Sequence, residues 1–162
     1  MSRLKNIFAL YTPEIILIPL IFALDRISKI FAISHLRPQG SVEILPFFHL
    51  TYVENTGAAF GSFKGGNYFL AAAAVIILAL LFKWRKDIIK LGASARYAFI
   101  FIVAGAIGNL YDRMVLGFVV DYFDFIIWPV FNVADSFISV GAVIMGALLI
   151  KDSFTARRKE GR

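Results

Sequence analysis

Cysteine is absent from this chain of 162 residues, and histidine occurs only twice. The absence of cysteine excludes disulfide bonds, thiolate metal sites and a cysteine nucleophile. His35 and His49 are isolated and lack an HExxH-type spacing, so the sequence predicts no zinc site. The chain also has no GxSxG motif and no phosphate-binding P-loop, which leaves serine-hydrolase and nucleotide chemistry without their usual residues.

Charged residues are scarce as well. They make up 17% of the chain against 59% hydrophobic residues, and the mean hydropathy is +0.76, which is typical of an integral membrane protein. Four stretches approach the roughly 20 apolar residues that a spanning helix needs. They cover residues 13–34, 67–84, 95–111 and 131–150. We therefore predict a mainly α membrane protein in which residues 1–162 form a single domain with four transmembrane helices.

The seventeen lysines and arginines give the chain a formal charge of +6, and most of them flank the predicted spans. They precede the first span, separate the second from the third, and follow the fourth. These clusters contain Arg3 and Lys5; Lys83, Arg85, Lys86, Lys90 and Arg96; and Lys151, Arg157, Arg158, Lys159 and Arg162. The positive-inside rule places both termini and the middle loop in the cytoplasm. The basic residues are therefore interpreted as topological, residues 151–162 as a charged, disordered cytoplasmic tail, and no nucleic-acid partner is expected.

Two segments, residues 35–66 and 112–130, then face the outer side of the membrane. Residues 42–44 and 48–53 are β-branched and aromatic and favour short strands, which predicts a small β-sheet and loop region on the outer face. Aromatic residues gather in the same segments, at the depth where such rings favour the membrane interface. They are Phe47, Phe48, Phe60, Phe63, Tyr122, Phe123, Phe125 and Trp128. We expect some of them to anchor the protein and others to contact lipid.

Charged groups inside the first predicted span need an explanation, because each costs at least about 2.5 kcal/mol in hydrocarbon. Asp25 and Lys29 lie four residues apart on one helix face. This spacing predicts an ion pair with a structural role.

The end of the third span also carries polar residues. Asn109 and Asp112 share a helix face, and Gly105 and Gly108 permit close helix packing. One interpretation is structural: the glycines form a helix contact, while Asp112 and Arg113 mark the boundary with water. The other is that these polar groups belong to a functional site.

The fourth span begins near a second polar pair, Asn132 and Asp135. Asn132 is a candidate N-cap with Asp135 at the third helical position, which is a structural explanation for both. A helix N-terminus also favours an ionised carboxylate, and at a rise of 1.5 Å per residue Asp135 lies only about 6 Å below the helix start. Asp135 is thus also a candidate catalytic base within reach of water.

Four carboxylates, those of Asp112, Asp121, Asp124 and Asp135, occupy one side of the membrane. Two carboxylates a few Å apart share a proton, so that one polarises a carbonyl while the other draws a proton from water. This is aspartic-protease chemistry. The alternatives are a small proton- or ion-coupled transporter and a non-catalytic lipid-binding scaffold. A transporter would place its carboxylates near the midplane, often on inverted repeats, and no repeat is evident here.

Five sequence blocks carry a family resemblance. They are DRISK at 25–29, NTGAAF at 55–60, GNLYDR at 108–113, VVD at 119–121 and FNVAD at 131–135. In these blocks and their order the chain resembles the bacterial lipoprotein signal peptidases, also called signal peptidase II. The resemblance runs nearly from end to end.

The resemblance implies an aspartic endopeptidase of the bacterial inner membrane that uses no metal or cofactor. Its substrates would be prolipoproteins, cut on the amino side of a cysteine that already carries diacylglycerol. Asp121 and Asp135 would be the catalytic pair, with Asp112 as the nearest rival. The residues that bind substrate or support the pair would be Asn55, Gly57, Asn109, Asp112, Arg113, Asn132 and Ala134, and Asp25 and Lys29 would be structural.

Three further expectations complete the prediction. The partners are the prolipoprotein substrates and membrane lipids, and the protein is expected to be a monomer. The first outer loop, with Gly57, Gly61, Gly65 and Gly66, is predicted to close over the substrate as a lid, because glycine tolerates the required backbone changes. Asp124 has no assigned role and is expected to be solvated.

Overall fold

The computed structural model describes residues 2–57 and 66–160, with side chains described within 13–57 and 66–154. Along the chain these residues form α1 (Ser2–Phe31), a π-helical turn (Ala32–Leu36), β1 (Ser41–Leu45), β2 (Phe48–Asn55), α2 (Asn67–Lys90), α3 (Ala93–Val115), β3 (Val119–Asp124) and α4 (Val133–Glu160). Phe60, Phe63, Gly61 and Gly65, on which the aromatic and lid predictions partly rest, lie outside the described residues, as does Arg162 of the predicted tail. The expectation of disorder is wrong for residues 151–160, because they continue α4.

Within the described ranges, three helices are long and apolar enough to cross a membrane. They are Asn67–Lys90, Ala93–Val115 and Val133–Phe154, and they correspond to the second, third and fourth predicted spans. α1 is 30 residues long, but it is not among them. Its apolar sequence is interrupted by Glu14, Asp25, Arg26 and Lys29, each of which lowers its hydropathy.

α3 lies at the centre of the helix bundle and packs against α1, α2 and α4. Phe99, Ile100, Val103 and Ala104 of α3 are fully buried and form a core together with Ile21 of α1. Burial on several sides explains why the apolar residues of α3 do not follow a single stripe. The polar residues at the end of this helix are thereby held in a well-packed frame.

Glycines bring α3 into backbone contact with its neighbours. A Cβ atom on Gly105 would overlap the carbonyl oxygen of Ala134 in α4, and one on Gly108 would lie 2.6 Å from Oδ2 of Asp25 in α1. Gly141 makes the reciprocal approach from α4, where a Cβ would lie 2.8 Å from the carbonyl oxygen of Ala98. The predicted close packing at Gly105 and Gly108 is confirmed.

A three-stranded antiparallel sheet with the order β1-β2-β3 covers one end of the bundle. The two predicted strands are confirmed as β1 and β2, and β3 is an addition that was not predicted. In β3, Val119, Val120, Asp121 and Tyr122 are all buried. The sheet thus inserts its third strand between the ends of the helices rather than lying on them.

The aromatic residues of the sheet region divide into two groups. Phe47 and Trp128 are 61% and 62% exposed, as expected of residues that contact lipid or interface. Phe48, Phe123, Phe125 and Phe131 stack on one another, and Tyr122 is buried. Tyr122 therefore packs inside the protein, where its hydroxyl donates to Ser28 Oγ of α1 at 2.6 Å.

Candidate active site

A cavity of about 530 Å³ opens where α3 ends, α4 begins and the sheet covers both. Its polar lining includes Asn55, Asn109, Arg113, Asp121 and Asp135, together with Gly57. On the α4 side the lining continues through Ser136, Ser139 and Val140, and a short segment at 128–131 forms the remaining wall. Five predicted polar site residues from four elements thus meet in one cavity.

Asp121 is positioned by the sheet. It pairs with Val53 across β2 and β3, and its side chain is almost completely buried. Its two oxygens accept hydrogen bonds from amide side chains, Oδ1 from Asn132 Nδ2 at 2.6 Å and Oδ2 from Asn55 Nδ2 at 2.8 Å. Burial, and secondarily the neighbouring charge of Asp135, raise the pKa of Asp121 from 3.8 to about 7. The carboxyl is therefore poised to hold a proton near neutral pH.

Asp135 is positioned by the first turn of α4. Its backbone N–H donates to Asn132 Oδ1 at 2.8 Å, and the N–H of Asn132 donates back to Asp135 Oδ2 at 3.3 Å. These reciprocal bonds form a capping box, so the predicted N-cap at Asn132 is confirmed. The remaining oxygen, Oδ1, accepts a hydrogen bond from Asn109 Nδ2 at 2.7 Å. The cap thus fixes the position of the Asp135 carboxylate in the cavity.

A chain of amides connects the two aspartates. Asn132 Nδ2 also lies 3.2 Å from Asn109 Oδ1, which in addition accepts from Lys29 Nζ at 2.8 Å. Because Asn109 Oδ1 faces the lysine, the Nδ2 group must face Asp135. A buried cation therefore determines the orientation of an amide that contacts a carboxylate of the site.

Behind this layer lies a cluster of four charged residues, Asp25, Arg26, Lys29 and Asp112, here called the supporting cluster. Lys29 Nζ is 3.1 Å from Asp25 Oδ2 and 2.8 Å from Asp112 Oδ2, so the predicted Asp25–Lys29 pair is confirmed. Arg26 bridges the same two carboxylates. The predicted site residue Ala134 joins here as well, because its N–H donates to Asp25 Oδ1 at 3.1 Å. The cluster ties α1 to α3 and to the start of α4.

Asp112 lies in this cluster and does not line the cavity. The interpretation that it marks the water boundary is wrong, because its side chain is wholly buried. Its oxygens contact Arg26 and Lys29 and accept the backbone N–H of Val120 at 3.3 Å. That contact reaches the residue directly before Asp121.

The remaining predicted residues lie at the rim or outside. Arg113 lines the cavity and approaches the carbonyl oxygen of Gly57 at 3.5 Å. Asp124 is hydrogen-bonded rather than simply solvated, since it accepts Thr51 Oγ1 and the Ile126 N–H, each at 2.8 Å. Across the described residues, no group of three or more potential metal ligands is found.

Sequence reasoning missed Arg26 and two more distant contacts. Arg26 and Lys29 are two cations near a single carboxylate, Asp25, in an apolar stretch. This imbalance of charge predicts that a second carboxylate from elsewhere in the chain pairs with them. The Ser28–Tyr122 bond and a buried cluster of Glu14, Arg85 and Arg96 join residues at least 71 positions apart, and nothing local in the sequence indicates them.

The geometry can now be compared with that of known proteins. A family model described as Signal peptidase (SPase) II matches residues 17–151, most of the chain. The chain belongs to the signal peptidase II family. Family membership makes it a membrane-embedded aspartic endopeptidase, and the comparisons give no support to the transporter alternative.

Individual relatives agree with this family. A lipoprotein signal peptidase of Thermodesulfovibrio yellowstonii is 44% identical over 131 residues, covering 77% of this chain and 86% of the relative. One of Caldanaerobacter subterraneus subsp. tengcongensis is 45% identical over 140 residues, covering 84% and 94%. A bacterial membrane enzyme solved by the in meso method superposes with a TM-score of 0.81 at 29% identity, covering 88% of this signal peptidase and 90% of that chain.

Proposed function

We propose that this signal peptidase removes signal peptides from lipoprotein precursors, with Asp121 and Asp135 as its catalytic pair. The assignment rests on which groups contact each carboxylate. Both carboxylates open into one cavity, and both are bonded to neutral amides, whereas Asp25 and Asp112 are bonded to cations. Of these four buried or nearly buried carboxylates, only the first two are accessible to a peptide bond and a water molecule.

The two carboxyl groups have complementary roles in the proposed mechanism. Asp121, with a pKa near 7, donates its proton in a hydrogen bond to the scissile carbonyl. Asp135, whose oxygens accept from Asn109 and the Asn132 N–H, takes a proton from water as the water attacks the carbonyl carbon. The tetrahedral intermediate then collapses: the C–N bond breaks, Asp135 gives its proton to the leaving amine, and the hydroxyl proton returns to Asp121, so the pair again holds one proton.

The substrate is proposed to carry diacylglycerol on the cysteine that follows the scissile bond. The cavity extends from the two aspartates along α4 past Ser136 to Ser139 and Val140, about one helical turn into the predicted span. Val140 and the apolar side chains of the 128–131 segment, which also line the cavity, provide an apolar surface for acyl chains beside the reacting atoms. Cleavage on the amino side of the lipidated cysteine would leave the lipid on the product.

The proposed topology has four spans in a single membrane domain of the bacterial inner membrane. α1 is the fourth span, because it packs against α3 and the charges near its end are paired within the bundle. Both termini lie in the cytoplasm and the cavity at the outer face, since the basic residues lie at the opposite end of the helices. The enzyme is proposed to act as a monomer.

The decisive experiment is cleavage of a purified diacylglyceryl-modified prolipoprotein in detergent. We expect Asp121→Asn and Asp135→Asn each to lose at least about a thousandfold in rate, because the reaction loses its acid or its base. A chelator should leave the wild type unaffected. Asp124→Asn is the matched control, since Asp124 lies on the same strand but its carboxylate bonds Thr51 and the Ile126 N–H outside the cavity.

Two results would overturn parts of the proposal. Cleavage by both folded asparagine variants would remove the catalytic assignment. Equal cleavage of the same precursor without its diacylglycerol would contradict the proposal that the enzyme recognises the lipid. The peptidase assignment would still stand.

A further inference from the structure

A second charged cluster lies at the end of the bundle remote from the catalytic cavity. Glu14 of α1 accepts Arg85 of α2 at 2.7 Å and Arg96 of α3 at 2.6 Å, and only 7% of Glu14 is exposed. Two guanidinium groups thus share one carboxylate where three helices meet. In this inner cluster, Arg85 and Arg96 together contact both oxygens of Glu14.

Beside the inner cluster lies a groove of about 450 Å³, here called the basic groove. Its charged lining consists of Glu14, Lys83, Arg85 and Lys86. Lys83 and Lys86 are exposed and lie three residues apart on α2, so their ammonium groups reach the same face. In the described part of the chain, neither lysine forms a salt bridge. The groove therefore presents an excess of positive charge to its surroundings.

The other walls of the basic groove are apolar. Ile18 and Phe99 lie on the inner side, and Phe82, which packs edge-on against Phe99 with ring centroids 5.6 Å apart, is 53% exposed. Trp84 is exposed on the neighbouring surface of α2, as is typical of the membrane interface. Cations at the rim and exposed rings below them match a molecule with an anionic head and a hydrocarbon tail.

We propose that the basic groove binds an anionic phospholipid, with its phosphate held by Lys83 and Lys86 beside Arg85 and its acyl chains against Phe82 and Ile18. Basic pockets between helices on the cytoplasmic side of a membrane bind such headgroups. The groove volume is within the usual range of ligand sites. This site is separate from the catalytic cavity, at the opposite end of α3, and does not depend on the assignment of Asp121 and Asp135.

The test measures lipid binding to the full-length enzyme in a non-ionic detergent. Phosphatidylglycerol, phosphatidylcholine and inorganic phosphate are titrated separately, and bound lipid is counted by native mass spectrometry alongside the melting temperature. We expect one phosphatidylglycerol to bind and raise the melting temperature, and the other two additives to do neither at the same concentration. The double variant Lys83→Gln with Lys86→Gln should weaken that binding at least about tenfold, because it removes both ammonium groups that hold the phosphate in this proposal.

The matched control removes two charges from the same end of the bundle but outside the groove, in Lys90→Gln with Lys151→Gln. Binding by this control should stay within about twofold of the wild type. Equal losses of phosphatidylglycerol binding in both double variants would contradict a specific site in the basic groove. They would indicate only a general attraction between the anionic lipid and the basic end of the bundle. Equal effects of phosphatidylcholine would overturn the requirement for charge, and equal effects of inorganic phosphate would identify a soluble anion instead of a lipid.

Discussion

Two pairs of carboxylates lie side by side in this enzyme and have opposite surroundings. Asp25 and Asp112 contact Arg26 and Lys29, whereas the hydrogen bonds that Asp121 and Asp135 accept from the described residues come from amides and a backbone N–H. The first pair is balanced by two cations and belongs to the supporting cluster. In the second pair, burial of Asp121 without an opposing cation raises its pKa to about 7, so that carboxyl can exchange a proton near neutral pH.

The two pairs are joined through one amide. Lys29 contacts both carboxylates of the supporting cluster and also Asn109 Oδ1, and Asn109 in turn donates to Asp135. Lys29 thus connects the cation-bonded pair to Asp135 by orienting the amide dipole of Asn109, and not by direct contact. The following predictions test whether the type of partner determines the role of each carboxylate.

The largest effect on stability is expected from Asp112→Asn. This change leaves Arg26 and Lys29 with one carboxylate, and breaking a buried ion pair costs about 3–5 kcal/mol. Unfolding in detergent, followed by denaturant or heat, measures the loss. Asp87→Asn is the control, because it removes an exposed pair with Lys90 and should cost about 1 kcal/mol or less. Similar losses in both variants would contradict a structural role for the cluster.

Asp121→Asn should increase the stability of the folded protein, by an amount that depends on pH. The folded-state pKa of Asp121 is raised from 3.8 to about 7. The free energy of unfolding of the wild type therefore falls as the pH rises from about 4 to about 7. The variant should therefore be more stable at pH 8 by up to about 4 kcal/mol, and this advantage should vanish near pH 4. Melting temperatures across this range provide the measurement, with Asp124→Asn as the control. An advantage that does not change with pH would argue against the raised pKa.

Asn132→Ala removes both functions of Asn132, the helix cap and the hydrogen bond to Asp121. Loss of the cap should cost about 1–2 kcal/mol, and loss of the hydrogen bond to Asp121 should raise the pKa of Asp121 further. Because Asp121 must hold a proton, the alkaline decline of kcat/KM should move from about pH 7 to higher pH. Asn55→Ala removes the other amide donor to Asp121 without affecting the cap. It should shift the pH profile in the same direction at a smaller cost in stability, and an unshifted profile in both variants would refute the amide model.

The smallest effect is expected from Tyr122→Phe. This variant loses the bond to Ser28 that ties β3 to α1, at a cost of about 1 kcal/mol. Burial raises the pKa of Tyr122 to about 12, so the hydroxyl keeps its proton and the cost should be the same at pH 5 and pH 8. The control is Tyr68→Phe, since Tyr68 is 85% exposed and should lose nothing measurable. A cost that changed between these pH values would show that this bond is coupled to the titrating pair.

Local features of the fold could be predicted from the sequence because their partners lie close along the chain. The capping box joins residues three apart, the Asp25–Lys29 pair joins residues four apart, and the first two strands have a β-branched and aromatic composition. β3 is harder to predict, because two aspartates within its six residues weaken the strand preference of Val119, Val120, Tyr122 and Phe123.

The long-range part of the site could not be predicted in the same way. Family resemblance selected Asn55 and Asn109 as supporting residues, but the carboxylate that each one contacts depends on strand register and helix packing. Arg26 and the inner cluster required tertiary structure, because no local spacing connects Arg26 to Asp112 or Glu14 to Arg96.

The supporting cluster has a consequence for the order in which the protein is assembled during synthesis. Asp25, Arg26 and Lys29 carry one more positive than negative charge, and the balancing carboxylate, Asp112, is made 83 residues after Lys29. The last ligand of Asp25, the Ala134 N–H, comes later still, at the start of α4. As the proposed fourth span, the first helix would therefore leave the ribosome as a poor membrane segment. Its stable insertion would wait for the third and fourth helices, which supply Asp112 and the Ala134 N–H.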